Sequence, residues 1–188
     1  MPRVLNHIAV SVTDIFHAMR WYREVLGMSV LAEPVTVSAA SIERTTESKK
    51  ADHGQPTADS NHLSNVVREI FGTQLGKFMI CHLVSSSGVG IELFEFIEPA
   101  AQRREGSSNF EYWKTGFFHL AITEHNVETL AQRIASSGGK IRTGIIEVFP
   151  GTGKKICFCE DPFGNIIEIY SHSYEEFWGS DARGQQEK

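Results

Sequence analysis

Several things are scarce in this chain of 188 residues. No apolar run reaches the roughly 18 residues a membrane-spanning helix needs, so no such helix and no membrane partner are expected. Basic charge is not in excess: 18 Lys and Arg against 23 Asp and Glu leave a formal net charge of −5. A protein whose main partner is nucleic acid needs a basic face to neutralise phosphates, so that class is set aside. Cysteine is rare and odd in number, three in all. Cys157 and Cys159 lie two apart on one strand pattern, too close to bridge comfortably, and reduced thiols in a cytoplasmic protein are the simplest expectation. The first residues, Met1-Pro2-Arg3-Val4-Leu5-Asn6-His7, have no leader-type apolar core or cleavage site, which predicts no secretory signal. What is present is ordinary for a globular chain, 41% hydrophobic and 22% charged. That excludes collagen, coiled coil and disorder throughout. The length suits one domain or two small ones sharing a core.

The chain repeats itself. Asn6-His7-Ile8-Ala9-Val10-Ser11-Val12 reads like Phe118-His119-Leu120-Ala121-Ile122-Thr123. Each stretch precedes a helix pattern. The first is Ile15–Leu26, with Asp14 as N-cap and Gly27 as C-terminal stop; the second is Val127–Ser137. Each half also closes on an apolar strand with one central carboxylate, Glu92 in Gly90–Phe96 and Glu168 in Asn165–Tyr170. Two more strands fit in between, about Met28–Val35 and Lys77–Val84 in the first half, Lys140–Val148 and Lys155–Cys159 in the second. Each half therefore reads as β-α-β-β-β.

The first half is longer. Ser38–Asn61, rich in small polar residues, predicts a loop or flexible flap, followed by a short helix near Asn65–Phe71. Ala100–Ser108 reads as a polar linker. The expected organisation is a first module at 1–98, a second at 109–178, and a disordered tail at 179–188.

Strand side chains alternate between faces. His7, Ala9 and Ser11 oppose Ile8, Val10 and Val12, and His119 and Ala121 oppose Leu120 and Ile122. Glu92, Phe94 and Phe96 oppose Ile91 and Leu93, and Glu168 and Tyr170 oppose Ile167 and Ile169. A strand histidine is more often a solvated or hydrogen-bonded structural group than a ligand. A carboxylate mid-strand is costly to bury unpaired, and structural ion pairs would rescue it. The same polar types nonetheless recur at the same places in both repeats, and a metal ion would offset both desolvation costs. Asp161-Pro162-Phe163-Gly164 reads as the turn into the last strand, not a catalytic aspartate. The cysteines read as buried structural thiols.

These residues resemble the vicinal oxygen chelate superfamily, the group of glyoxalases, bleomycin-resistance proteins and ring-cleaving dioxygenases. The phrases that carry the resemblance are His7-Ile-Ala-Val-Ser-Val-Thr-Asp14, Trp21-Tyr-Arg-Glu-Val-Leu-Gly-Met28 and Ile91-Glu-Leu-Phe94. In the second half they are His119-Leu-Ala-Ile122 and Glu160-Asp-Pro-Phe-Gly-Asn-Ile-Ile-Glu-Ile-Tyr170. Together they cover about Val4 to His172. The resemblance implies an α+β fold of two tandem βαβββ modules forming a cupped, mostly antiparallel sheet. It also implies one divalent metal ion, Zn, Ni, Mn, Co or Fe, held by His7, Glu92, His119 and Glu168. Open positions on that ion would take a small-molecule substrate through two adjacent oxygens. A homodimer is expected, because each module alone has sheet edges to satisfy.

The glyoxalase I-like branch implies a lyase or isomerase that moves a proton beside a carbonyl through an enediolate. Glu168 would be the leading base, and Glu92 a ligand or a base for the opposite face. Glu92 is followed by Leu-Phe-Glu-Phe-Ile-Glu-Pro, where glyoxalase I usually carries a Thr-x-Asn-x-Gly type of phrase that helps hold glutathione. Candidate substrate contacts are Phe94, Phe96, Tyr170 and Lys154. The first alternative is an Fe(II) extradiol-type dioxygenase using His7, His119 and Glu168, with His82 or His172 as a supporting base. The second is a drug- or small-molecule-binding protein of the same fold with aromatic walls. Glu92 counts against the first, and the complete ligand quartet against the second.

Overall fold

The computed structural model describes residues 3–38, 60–103 and 111–179, apart from the side chains of 60–64. Its two compact units are Met1–Gln102 and Arg103–Lys188. Both build an α+β arrangement of helices against a mixed sheet.

The first unit runs β1 (His7–Ser11), α1 (Ile15–Leu26), β2 (Ser29–Ser38), α2 (Ser60–Phe71), β3 (Lys77–Val84) and β4 (Gly90–Glu98). Its sheet has the order β1-β4-β3-β2, parallel at β1/β4 and antiparallel elsewhere. Helix α1 starts and stops where the sequence predicts. Asp14 caps it by accepting from His17 N, and Gly27 ends it in the left-handed region at φ 71°. Glu95 Oε2 accepts from Ile15 N at 2.8 Å, placing a negative charge at the helix start. The apolar stripe Ile15, Ala18, Met19, Tyr22 and Val25 is buried, as are Val10, Cys81, Leu83, Ile91 and Leu93 on the sheet. Burial of this kind, at about 25 cal/mol per Å² of apolar surface, drives the packing.

The second unit runs β5 (Leu120–Thr123), α3 (Val127–Ser136), β6 (Lys140–Ile141), β7 (Ile146–Glu147), β8 (Lys155–Glu160), β9 (Ile166–Tyr170) and α4 (Tyr174–Trp178). Its sheet order is β5-β9-β8-β6, with β7 also paired to β8 and β5/β9 the parallel pair. Val127, Leu130, Ala131 and Ile134 of α3 are buried together with Cys157, Cys159, Ile167 and Ile169. Gly139 is required where α3 turns into β6, since a Cβ there would lie 2.4 Å from the Glu160 carbonyl oxygen.

Some elements differ from the sequence reading. The strand expected over Lys140–Val148 is broken into β6 and β7. Arg142 N and Thr143 N both donate to the Phe158 carbonyl, and Thr143 Oγ1 accepts from Phe158 N, so the chain bulges there instead of continuing its ladder. Strand β2 continues to Ser38, past the expected end at Val35. Helix α2 begins at Ser60, so the predicted flap, Ser38–Asn61, lies mostly outside the described residues, as do most of the linker and tail. Helix α4 was not anticipated. Ser173 and Glu176 form a reciprocal capping box at its start.

The Asp161 turn is structural, as expected. Its carboxylate accepts from Phe163 N, Asn165 N and Asn165 Nδ2 at 2.8–2.9 Å. All three cysteines are free and buried.

Candidate metal centre

The two sheets present their histidine and glutamate in the same register. In the first unit Ala9 of β1 pairs with Glu92 of β4, and His7 pairs with Gly90. In the second, Ala121 of β5 pairs with Glu168 of β9, and His119 directly precedes β5. Paired residues in a sheet share a face, so each histidine lies diagonally beside its glutamate. His7 Nε2 is 3.4 Å from Glu92 Oε2, and His119 Nε2 is 3.2 Å from Glu168 Oε2. The repeat seen in the sequence is thus reproduced in atomic detail within each unit.

Neither carboxylate meets a Lys or Arg in the ion pairs among the described residues. A buried structural carboxylate in the same sheet behaves differently: Glu160 is paired with Arg142. The two glutamates also differ from each other. Glu92 keeps 25% of its side chain exposed, Glu168 only 7%. Burial pushes the Glu168 carboxyl above its ordinary range, while a hydrogen bond with Tyr170 pulls the other way. Burial also pulls His119 below its ordinary value. That pair is therefore a neutral imidazole beside a desolvated carboxyl, not a strong ion pair.

The donors fit a divalent ion. Ligands about 2.0–2.1 Å from one ion, at angles near 90–110°, lie about 3.0–3.4 Å from each other, and both pairs match that spacing. His7 Nδ1 lies 2.8 Å from Asn6 Oδ1, so Nε2 is the ring nitrogen that faces Glu92. His119 Nδ1 is buried with no hydrogen-bond partner, an orphaned nitrogen on a ring already held neutral. Among the described residues no three His, Cys, Asp or Glu side chains converge at one point; the donors come as one pair per unit.

The aromatic neighbours are partly committed. Phe94 and Phe96 stack on each other, with centroids 5.7 Å apart and planes 9° apart. Phe71 of α2 and Phe78 of β3 pack around them, and Phe94 is buried in that cluster. Helix α2 therefore covers the apolar end of the face that carries Glu92. Helix α4 does the same in the second unit, setting Phe177 edge-on to Tyr170 at 4.7 Å. Lys154 is engaged there too: its Nζ donates to the Phe177 carbonyl at 3.2 Å. His82 of β3, weighed from sequence only as a supporting base, lies directly across from Glu92, with Nδ1 3.5 Å from Oε1. Its place depends on strand register, which alternation alone does not give.

Residues 4–169 match the family model described as Glyoxalase/Bleomycin resistance protein/Dioxygenase superfamily. No curated protein matches the chain. Among solved structures, glyoxalase I from Zea mays is similar at 20% identity and a TM-score of 0.54, over 89% of this chain. The present chain spans only 44% of that maize protein. A glyoxalase family protein from Bacillus cereus is similar at 15% identity and a TM-score of 0.62, covering 90% of this chain and 93% of its own. The fosfomycin resistance protein FosX from Listeria monocytogenes, solved as a mutant with Mn(II) and dihydroxypropylphosphonic acid, is similar at 13% identity and a TM-score of 0.52. It covers 95% of this chain and 98% of its own. These likenesses are likenesses of fold. With a mixed sheet in each unit and a family model matched over nearly all its length, the chain belongs to the glyoxalase/bleomycin resistance protein/dioxygenase superfamily.

Proposed function

We propose that this protein is a divalent-metal-dependent lyase or isomerase of the glyoxalase type, moving a proton on a carbon beside a carbonyl. One observation carries the reading. The same His-and-Glu pair occurs at the same register in both units, with Glu168 buried and its carboxyl pushed upward by that burial. His7, Glu92, His119 and Glu168 would supply two nitrogens and two oxygens, a mixed set that suits Zn, Ni, Mn, Co or Fe(II). A divalent ion there would supply charge stabilisation to two adjacent substrate oxygens.

Glu168 is the base in this reading. A carboxyl whose burial favours its protonated form is a stronger base than an ordinary one. The hydrogen bond between Tyr170 and Glu168 aims the carboxylate. Phe96 on the Glu92 face and Tyr170 on the Glu168 face would each offer ring surface to a substrate, with Phe94 packed against Phe96 in the cluster under α2. Lys154 would contribute to substrate only by leaving the Phe177 carbonyl, which makes it the weakest of the substrate contacts.

Assembly as a homodimer is part of the same reading. It is supported by large exposed aromatics at Tyr112, Trp113 and Phe117, upstream of β5. A reducing, cytoplasmic setting is supported by three free buried thiols. No helix among the described residues is long and apolar enough to cross a membrane.

The test is isotope exchange. Hemithioacetals and acyl thioesters are incubated with metal-loaded protein in deuterated water, and deuterium at the α carbon is followed by NMR. Exchange by the wild type, reduced about 10²–10⁴-fold in Glu168→Gln at equal metal occupancy, is expected. Oxygen uptake with catechols and Fe(II), without exchange, would instead identify a ring-cleaving dioxygenase. Stabilisation by bulky drugs alone would identify a binding protein.

A further inference from the structure

A row of opposed residues crosses each sheet through its glutamate. In the first unit it reads Ala32, His82, Glu92, Ala9. In the second, Phe158 pairs with Glu168 and Glu168 with Ala121, and Arg142 N donates to the Phe158 carbonyl, so that row begins on Arg142. Residues opposed across a sheet share a face. Arg142 therefore lies on the face of Glu168, opposite the face whose Cys157, Cys159, Ile167 and Ile169 are buried with α3. It stands two strands from Glu168, about 10 Å from backbone to backbone.

Two further charges share that face. The Arg142 guanidinium is paired with Glu160, and Lys140 Nζ lies 4.0 Å from the same carboxylate. Lys140 is directly opposed to Glu160, which is two residues from Phe158 on β8. Two cations around one carboxylate leave a local positive excess in a chain of net charge −5. The Glu160 side chain is 8% exposed, Arg142 22% and Lys140 67%, so the carboxylate is buried while both cations reach solvent. The fold does not require this cluster. At the corresponding places of the first unit stand Ala32 for Arg142, Val84 for Glu160 and Ser29 for Lys140.

We propose that Arg142, held by Glu160 and assisted by Lys140, is an anion-binding subsite on the face that carries Glu168, taking a carboxylate or phosphate borne by the substrate. A guanidinium fixed on one side by a buried carboxylate presents a preorganised fork, the geometry suited to such oxyanions. Lys154, the cation considered from sequence for this task, is instead engaged with the Phe177 carbonyl. The substrate class rests on the metal-dependent reading above; the anion site itself does not. It narrows that class to carbonyl compounds with an anionic group about two strand spacings, or about 10 Å, from the reacting carbon.

The experiment begins with metal-free, ¹⁵N-labelled protein titrated with inorganic phosphate and, separately, with succinate at constant ionic strength. Either anion should shift the Arg142 Nε–H and Thr143 amide signals saturably; which one does so distinguishes a phosphate-bearing from a carboxylate-bearing substrate. The double variant Arg142→Met, Glu160→Met removes the pair together and leaves no buried charge unpaired. Followed at Thr143, it should bind the anion about 10–100-fold more weakly. Glu160→Gln removes the competing negative charge and should bind it about 2–5-fold more tightly. Arg133→Gln, on α3, should bind as the wild type does. With metal loaded, deuterium exchange into a thioester ending in a carboxylate should have a lower KM than exchange into its methyl ester, and the double variant should lose that preference. No saturable shift with either anion, or equal affinity in the wild type and the double variant, refutes the subsite and leaves the metal reading standing. Exchange that ignores the carboxylate refutes the substrate assignment. Anion binding as expected, with no exchange in any metal-loaded protein, upholds the subsite and overturns the proton-transfer reading alone.

Discussion

Replacing Glu168 with glutamine keeps the side-chain shape and removes its charge, and the structure predicts opposite effects with and without metal. The carboxyl is 7% exposed, faces Phe158 across the sheet and has no Lys or Arg partner among the described residues. Its raised pKa means that the folded state holds this proton more tightly than the unfolded chain. The stabilisation from that proton is complete below the ordinary carboxylate value of 4.5 and is lost as pH rises through the raised one. Where the pH exceeds that raised value, the metal-free wild type carries an ionised, poorly solvated carboxylate, a cost of about 1–2 kcal/mol. Glu168→Gln relieves it, raising Tm by about 2–8 °C at roughly 2–4 °C per kcal/mol for a chain of this size. At pH 4 the difference vanishes. His119, shifted downward, works the other way, its contribution being lost as pH falls through its lowered value, and it is common to both proteins.

A bound metal ion is expected to reverse the order. An ion at 100 times its Kd adds about 2.7 kcal/mol to the wild type, but only about 0.4 kcal/mol to a variant whose affinity is about 100-fold weaker. The assay is a thermal melt at pH 8 and pH 4, with a chelator and then with Zn(II) or Ni(II). A variant less stable than the wild type in chelator at pH 8, or one stabilised equally by metal, would refute the reasoning.

Other outcomes follow from the packing. Leu93→Ala opens a cavity where β4 meets α1 and should cost about 2–5 kcal/mol by urea denaturation; a loss below 1 kcal/mol would mean that this core is looser than described. Burial pushes the thiols of Cys81 and Cys159 up to about 11 and about 12 respectively. Neither should react with iodoacetamide in the native protein at pH 8, and both should react once it is unfolded; rapid native labelling read by mass spectrometry would contradict their burial.

Much of the fold was legible because its signals are local. Asp14 and Gly27 delimit α1, and alternation assigned Ile91 and Leu93 to one face and Glu92 to the other. The candidate site was legible for a different reason, the recurrence of His7 and Glu92 as His119 and Glu168. What escaped depends on longer-range contacts. The break between β6 and β7 comes from hydrogen bonds between Thr143 and Phe158, fifteen residues apart. The commitment of Phe94 to the cluster beneath α2, and of Lys154 to the end of α4, arises from helices whose docking no periodicity encodes. His82 needed the β3/β4 register before it could be placed against Glu92. The α4 capping box, Ser173 with Glu176, was a local signal that could have been read.

We propose that His7, Glu92, His119 and Glu168 all serve as ligands to a divalent ion. Elemental analysis of protein reconstituted with Zn(II), Ni(II), Mn(II) or Co(II) tests it most directly, applied to the wild type and to His7→Ala and His119→Ala separately. One ion per chain in the wild type, with strong loss in each single variant, is the predicted result, since removing either imidazole removes one of four ligands. Two ions per chain, or loading that survives loss of either histidine, would contradict the four-ligand set.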